Sequence, residues 1–206
     1  MSLPLLVAAA LLGLAARTPA WTRADLRLSE AVQSVRAPWL TAVARTLNVV
    51  FGTTGGILLV IAITVVLVVT GHRRTAVLTL VVILAGWWIG TVFKTAIARP
   101  RPPAAHELIP QLGNDSFPSG HVCLTLSIVI ALVLLARGTP AFWALVGVGA
   151  VLVAAQMLAR VYLGVHYPTD TIGSLLVTSA AVVLLFASGL FDTAAERGAG
   201  PHPSGR

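Results

Sequence analysis

The chain has 206 residues, 57% of them hydrophobic and 10% charged, with a mean hydropathy of +0.90. A water-soluble domain carries about 25% charged residues, so this composition excludes one and predicts a single membrane-embedded domain over residues 1–191. The formal charge of +7 comes from arginines scattered through short loops, which argues against nucleic acid and fits anionic lipid head groups or a phosphate substrate.

The first apolar stretch, from Leu3 to Ala16, predicts a retained span at roughly 3–20. A secretory signal with Thr18-Pro19-Ala20 as its cleavage site is the competing reading. A signal wants a Lys or Arg ahead of the apolar run, and none stands there. Segment 22–48 has a different character. Leu28, Val32, Val35, Trp39, Val43 and Leu47 recur every three or four residues, with Arg27, Glu30, Arg36 and Arg45 between them. That pattern predicts an amphipathic helix in the membrane interface, bent or broken at Pro38. Thr22 and Asp25 have capping-box spacing at its start. The same apolar stripe would serve equally for packing on other helices.

Five further stretches meet the requirement of about 20 apolar residues. They run roughly over 54–71, 75–97, 121–137, 141–164 and 171–191. The predicted fold class is therefore an all-α membrane protein. It has six transmembrane helices, an interfacial amphipathic helix between the first two, and both ends on one side. Cys123 lies inside an apolar run and reads as a small core residue, and Trp87 and Trp88 read as packing. The long connection, 98–120, is rich in Pro and polar residues, and the tail 192–206 is predicted to be disordered.

Three polar motifs punctuate this hydrophobic background. Lys94 to Pro102 reads Lys-x6-Arg-Pro, Pro118 to His121 reads Pro-Ser-Gly-His, and Arg160 to Asp170 reads Arg-x5-His-x3-Asp. Consecutive spans alternate in direction. The end of the third, the start of the fourth, the end of the fifth and the start of the sixth therefore share one membrane face, and all three motifs fall at those points. Ionisable groups kept around membrane spans mark a functional site.

A phosphoryl group held and attacked would use all of these residues. Lys94, Arg101 and Arg160 supply positive charge, and arginine matches phosphate oxygens with a planar fork. Ser119 and Gly120 open a helix, where backbone N–H groups and the dipole favour an anion. The two histidines, His121 and His166, suit two roles: a neutral imidazole that attacks phosphorus and an imidazolium that protonates the leaving oxygen. If the sixth helix starts near His166, Asp170 lies on the same face four residues on. His106, in the long loop, and His72 and His202 read as structural or solvated.

In these motifs the chain resembles the type 2 phosphatidic acid phosphatase superfamily, the membrane lipid phosphate phosphatases. Their pattern ends in Ser-Arg-x5-His-x3-Asp, where this chain has Ala159 before Arg160. The lost hydroxyl weakens the pocket by one hydrogen bond, about 1 kcal/mol. The resemblance implies an acid phosphatase/vanadium haloperoxidase-like helical core. It implies His166 as the nucleophile forming a phosphohistidine, Asp170 as the group that orients it and His121 as the general acid. Lys94, Arg101, Ser119, Gly120 and Arg160 would bind the phosphoryl group, with no metal and no cofactor. The sequence agrees on the metal, having no carboxylate cluster for magnesium.

The substrates implied are phosphatidate, phosphatidylglycerol phosphate or polyprenyl mono- and diphosphates such as undecaprenyl diphosphate, with no nucleic-acid partner. Loop charges are balanced between the two faces, so the positive-inside rule gives no orientation. The resemblance implies a multi-pass protein of the cell (inner) membrane with its site facing the periplasm or outside. A transporter or flippase that binds a lipid head group without cleaving it would use the same cations, but would not need the histidine pair with its aspartate. A vanadate-dependent haloperoxidase is a third reading, and those relatives are soluble.

Overall fold

The computed structural model describes residues 2–110 and 113–189. They form eight α-helices: α1 (Ser2–Ala16), α2 (Pro19–Gln33), α3 (Pro38–Val50), α4 (Thr53–Val69), α5 (Arg73–Ile97), α6 (Gly120–Leu135), α7 (Phe142–Tyr162) and α8 (Pro168–Ala187). Among the described residues the only β pairing is one isolated bridge, Pro100 with Asp115. The predicted tail, 192–206, and His202 lie outside the described residues.

Three helices, α5, α7 and α8, are each long and apolar enough to cross a membrane. Two bent pairs meet the same test together: α1 with α2 at 89°, and α3 with α4 at 60°. The apolar α6 is shorter, at 16 residues. By length and composition the described helices thus account for three to five crossings.

The corner between α1 and α2 corrects one expectation. The helix over the amphipathic segment begins at Pro19, not at Thr22. Thr18 caps it, accepting the Trp21 N–H at 3.4 Å, and Pro19 occupies the first turn, where its missing N–H is harmless. Thr22 instead donates to the Ala16 carbonyl at 3.1 Å. Asp25 is left in mid-helix with its carboxylate buried. The segment does break at Pro38, which opens α3.

α2 turns a polar edge inward as well as part of its apolar stripe. Its buried residues are polar: Asp25, Ser29 and Gln33, four apart. Leu28, Val35, Trp39 and Val43 are exposed, while Val32 and Leu47 are half-buried and pack against the cores, so the stripe over α2 and α3 is partly outward and partly packed. Trp88 also differs from expectation, since its side chain is 73% exposed while Trp87 packs inward.

In the interior, α1 packs on α8, α5 lies between α6 and α8, and α7 packs on α6 and α3. Phe51, Val82, Ile83, Leu124 and Ile128 form one core, and Ala44, Tyr162, Leu163 and Val165 a second beside the α7–α8 connection. Ala98 ends α5 in the left-handed region at φ 46° and turns the chain into the long loop. That loop folds back on itself and on α7: Ser116 N–H donates to the Arg99 carbonyl at 2.7 Å, and Leu108 N–H to the Leu163 carbonyl at 2.9 Å. Gly164 has φ +78° and lies against the His106 carbonyl, so a side chain fits neither its backbone nor its surroundings. Arg36 clasps this junction, donating to the His106 carbonyl at 2.7 Å and the Tyr162 carbonyl at 2.9 Å.

Candidate active site

The chain brings the three motifs to one place, at the helix ends where α5, α6, α7 and α8 meet. His166 sits on the short connection between α7 and α8 and is 2% exposed. It precedes the first residue of α8, so its contact with Asp170 spans the helix start rather than one helical face. Pro168 takes the first turn of α8, and Asp170 Oδ2 accepts the Tyr167 N–H at 2.9 Å, one half of a capping box. A carboxylate in the first turn is also favoured by the helix dipole. Cap and dipole therefore fix the aspartate whose Oδ2 stands 3.4 Å from His166 Nδ1.

The other ring nitrogen faces cations. Arg101 Nη1 donates to the Val165 carbonyl at 2.8 Å and lies 3.5 Å from His166 Nε2. With a guanidinium on the Nε2 side and a carboxylate on the Nδ1 side, the neutral tautomer favoured is the one protonated on Nδ1. Its lone pair, on Nε2, then faces the Arg101 guanidinium. Burial pushes the His166 pKa well below the ordinary 6.5, helped by the nearby positive charges of Arg160, Lys94 and Arg101. The ring is thus neutral at physiological pH, the state a nucleophile needs. Burial likewise lowers the Arg101 pKa from its ordinary value.

Each cation is held by the surrounding chain. Lys94, in the last turn of α5, donates to the Asp115 carbonyl at 3.0 Å. Arg101 Nε donates to the Gly113 carbonyl at 3.0 Å. Arg160, in the last turn of α7, donates through Nη1 to the Asn48 side chain. His121, in the first turn of α6, hydrogen-bonds the backbone of the same residue. Asn48, near the end of α3, therefore steadies two motif residues. It lies within segment 22–48, where no motif pointed to it.

Ser119 caps α6 in extended conformation. Its N–H is already used by Ser174 Oγ at 2.9 Å, so it is not among the donors facing an anion. Its own Oγ is buried, with no hydrogen-bond partner among the described residues. Gly120 opens α6 beside the Trp87 indole, and a Cβ there would meet only Trp87 Nε1, at 4.0 Å. Phe117, fully buried, anchors the turn from behind, against Ile97 and two glycines, Gly13 and Gly173. Ala159 packs with Ala44, Tyr162 and Leu163 on the α3 side. Among the described residues no group of His, Cys, Asp and Glu is arranged to hold a metal ion.

Two further charged residues join the site that motif spacing did not single out. Arg99 is buried, with Nη1 donating to Asp170 Oδ1 at 2.6 Å and Nη2 to Asp25 Oδ2 at 2.8 Å. Its guanidinium stacks 4.1 Å from the centre of the Tyr167 ring. The sequence did hold a signal: Asp25 is an acid in an arginine-rich segment, and Arg99 falls inside the x6 of the first motif.

A family model described as PAP2 superfamily matches residues 58–193. Two relatives come from Bacillus subtilis (strain 168). Phosphatidylglycerophosphatase B is 31% identical over 200 residues, covering 91% of this chain and 92% of the relative. Undecaprenyl-diphosphatase BcrC is 36% identical over 106 residues; the match spans half of this chain and 52% of the relative. Two crystal structures share the fold. The transmembrane PAP2-type phosphatidylglycerolphosphate phosphatase from Bacillus subtilis superposes with a TM-score of 0.80 at 23% identity, over 91% of this chain and 94% of the other. Aquifex aeolicus LpxE does so with 0.63 at 19% identity, over 78% and 94%.

Proposed function

Because the chain belongs to the PAP2 superfamily, we propose that it is a membrane lipid phosphate phosphatase that works without a metal, through a phosphohistidine on His166. The observation that carries this reading is His166 itself: a buried ring with Asp170 at Nδ1 and Arg101 at Nε2, kept neutral among cations.

In the first step His166 Nε2 attacks phosphorus. The bond from phosphorus to the leaving oxygen breaks, and His121 gives that oxygen its proton. Lys94, Arg101 and Arg160 hold the phosphoryl oxygens, together with the N–H groups of the first turn of α6. Asp170 stabilises the positive charge that grows on the His166 ring as the new N–P bond forms. In the second step His121 takes a proton from water, the water oxygen attacks phosphorus, and the N–P bond breaks to release phosphate. Vanadate, which mimics the five-coordinate phosphorus, is an expected inhibitor.

The substrates proposed are phosphatidylglycerol phosphate, phosphatidate and polyprenyl diphosphate, in keeping with the activities named for the two relatives. In the bilayer α2 and α3 lie at the interface, which the exposed Leu28, Trp39 and Val43 support. The shorter helices α1, α4 and α6 then complete six spans with α5, α7 and α8, with the site toward the outer face.

The test is phosphate release from these lipids by purified protein in detergent and EDTA, beside His166→Ala. Release that persists in EDTA and vanishes in the variant is expected, with an acid-labile phosphoprotein trapped by rapid quench. Undiminished release by His166→Ala overturns the mechanism. Binding without release by the wild type overturns the phosphatase reading and favours lipid transport.

A further inference from the structure

Taking His166 as nucleophile and Asp170 as its partner, on which this inference rests, we propose that Arg99 and Asp25 are positioning residues that set the charge of the carboxylate behind the nucleophile. The relay runs from His166 to Asp170, to Arg99 and to Asp25, and so couples α2 to the reacting ring.

The geometry is a guanidinium shared between two carboxylates. Arg99 reaches Asp170 Oδ1 at 2.6 Å with one arm and Asp25 Oδ2 at 2.8 Å with the other. All three are at most 3% exposed. Asp25 is itself held from the other side. Its Oδ1 accepts from Thr169 Oγ1 at 2.8 Å, and Thr169 Oγ1 accepts from Trp21 Nε1 at 2.9 Å. The Tyr167 ring supports the guanidinium face. Fork geometry needs arginine, since a lysine ammonium is a point charge that cannot hold two separated carboxylates in one plane.

Charge explains why a second carboxylate is present. Arg99 with Asp170 alone is a neutral pair. In that arrangement the arginine neutralises the carboxylate that has to stabilise the cationic His166 ring. Asp25 takes one arm of the guanidinium and brings the set to a net single negative charge. The groups facing His166 from elsewhere are cationic or titratable: Lys94 from α5, His121 from α6, Arg160 from α7 and Arg101 from the loop. The negative charge opposing them comes through Asp170, and Asp25 keeps it from being cancelled. Burial strengthens these interactions over their values in water. Carboxylates behind metal-bound histidines are worth about 10–100-fold in activity, and the lower end of that scale is expected for this relay.

The experiment is Asp25→Asn. It is nearly isosteric: its amide oxygen accepts from Arg99 while its NH2 donates to Thr169 Oγ1, which turns its hydroxyl to accept, so both contacts are kept and the charge is removed. Expected are a kcat lower by about tenfold with KM unchanged, and an acidic limb of the kcat/KM profile moved to lower pH, because the imidazolium has lost a stabilising charge. A uniform fall at every pH with the limb unmoved would mean a structural role and overturn the proposal, as would wild-type kinetics. Asp25→Glu keeps the charge with a longer reach. It is expected to return the limb to its wild-type position, and it carries the test if the Asn variant does not fold; a displaced limb in the Glu variant overturns the proposal equally. The His166→Ala control separates the two failures. If that variant is active, the mechanism falls and takes this inference with it. If it is inactive while Asp25→Asn matches the wild type, only this inference falls.

Discussion

Gly173→Ala tests how the Pro-Ser-Gly-His turn is held. Gly173 lies on α8, and a Cβ there would overlap the Phe117 ring. The ring cannot retreat freely. A Cβ on Gly13 of α1 would already stand 2.9 Å from Phe117 Cε1 and 3.0 Å from Ile97 Cγ1, so the opposite wall is closed as well. Phe117 is fully buried, and the next residue is Pro118. Overpacking of a closed core costs about 1–3 kcal/mol. For a chain of this size each kcal/mol moves the melting temperature by about 2–4 °C, so a fall of about 2–12 °C is expected. The five tryptophans give a fluorescence readout of unfolding in detergent. Because displacement of Phe117 carries Ser119 and Gly120 with it, kcat should fall in the folded variant at temperatures well below melting. Adding Phe117→Leu to Gly173→Ala frees space and should recover most of the melting temperature. A Gly173→Ala protein with wild-type melting temperature and turnover would refute this account of the packing.

Other outcomes follow from the same geometry. The kcat/KM profile should be bell-shaped, with its acidic limb below pH 6.5, because His166 is held well under its ordinary value; a flat profile from about pH 5 to 8 would contradict the two-histidine assignment. Stability should respond too. The unfolded chain protonates His166 near pH 6.5 and the folded protein resists, so this contribution is intact above that pH and is lost as pH falls below it. Denaturant titrations of His166→Ala should lack that part of the slope. Asn48→Ala removes the side-chain acceptor of Arg160 and should cost about 1.5 kcal/mol of transition-state binding, roughly tenfold in kcat/KM. Arg36→Ala frees the loop carrying Arg101 from the end of α7, and limited proteolysis should then cut sooner within 103–110.

Much of this site was legible because its information is local. The spacing of Lys94 and Arg101, of Ser119 and His121, and of Arg160, His166 and Asp170 survives in sequence, and alternating spans place all of them at one end. What escaped joins distant elements. Asp25 meets Arg99 across 74 residues, and Asn48 meets Arg160 across 112. No periodicity encodes such pairs. The Thr22 and Asp25 spacing misled because Thr18-Pro19 offers a better helix start one turn earlier. Hydropathy windows sum apolar residues without sensing direction, so they missed the 89° corner after α1. The amphipathic stripe was legible as a pattern, but its facing was not. Asp25 and Gln33 meet Arg99 and the Val161 carbonyl and hold one polar edge of α2 inward, while Arg27 and Glu30 stay exposed.

The gathering of Lys94, Arg101 and Arg160 around one small space has a thermodynamic consequence for the reaction cycle. Like charges crowded beside a buried ring raise the free energy of the phosphate-free fold, and an oxyanion lowers it again. On the proposed mechanism the reaction product is therefore also a ligand of the native state. Binding links stability to phosphate concentration, adding about 2.7 kcal/mol when phosphate reaches a hundred times its dissociation constant. The same attraction holds phosphate after hydrolysis. Charge that favours capture of a lipid head group works against release of the ion cut from it, and turnover is fastest where the surrounding medium keeps phosphate scarce.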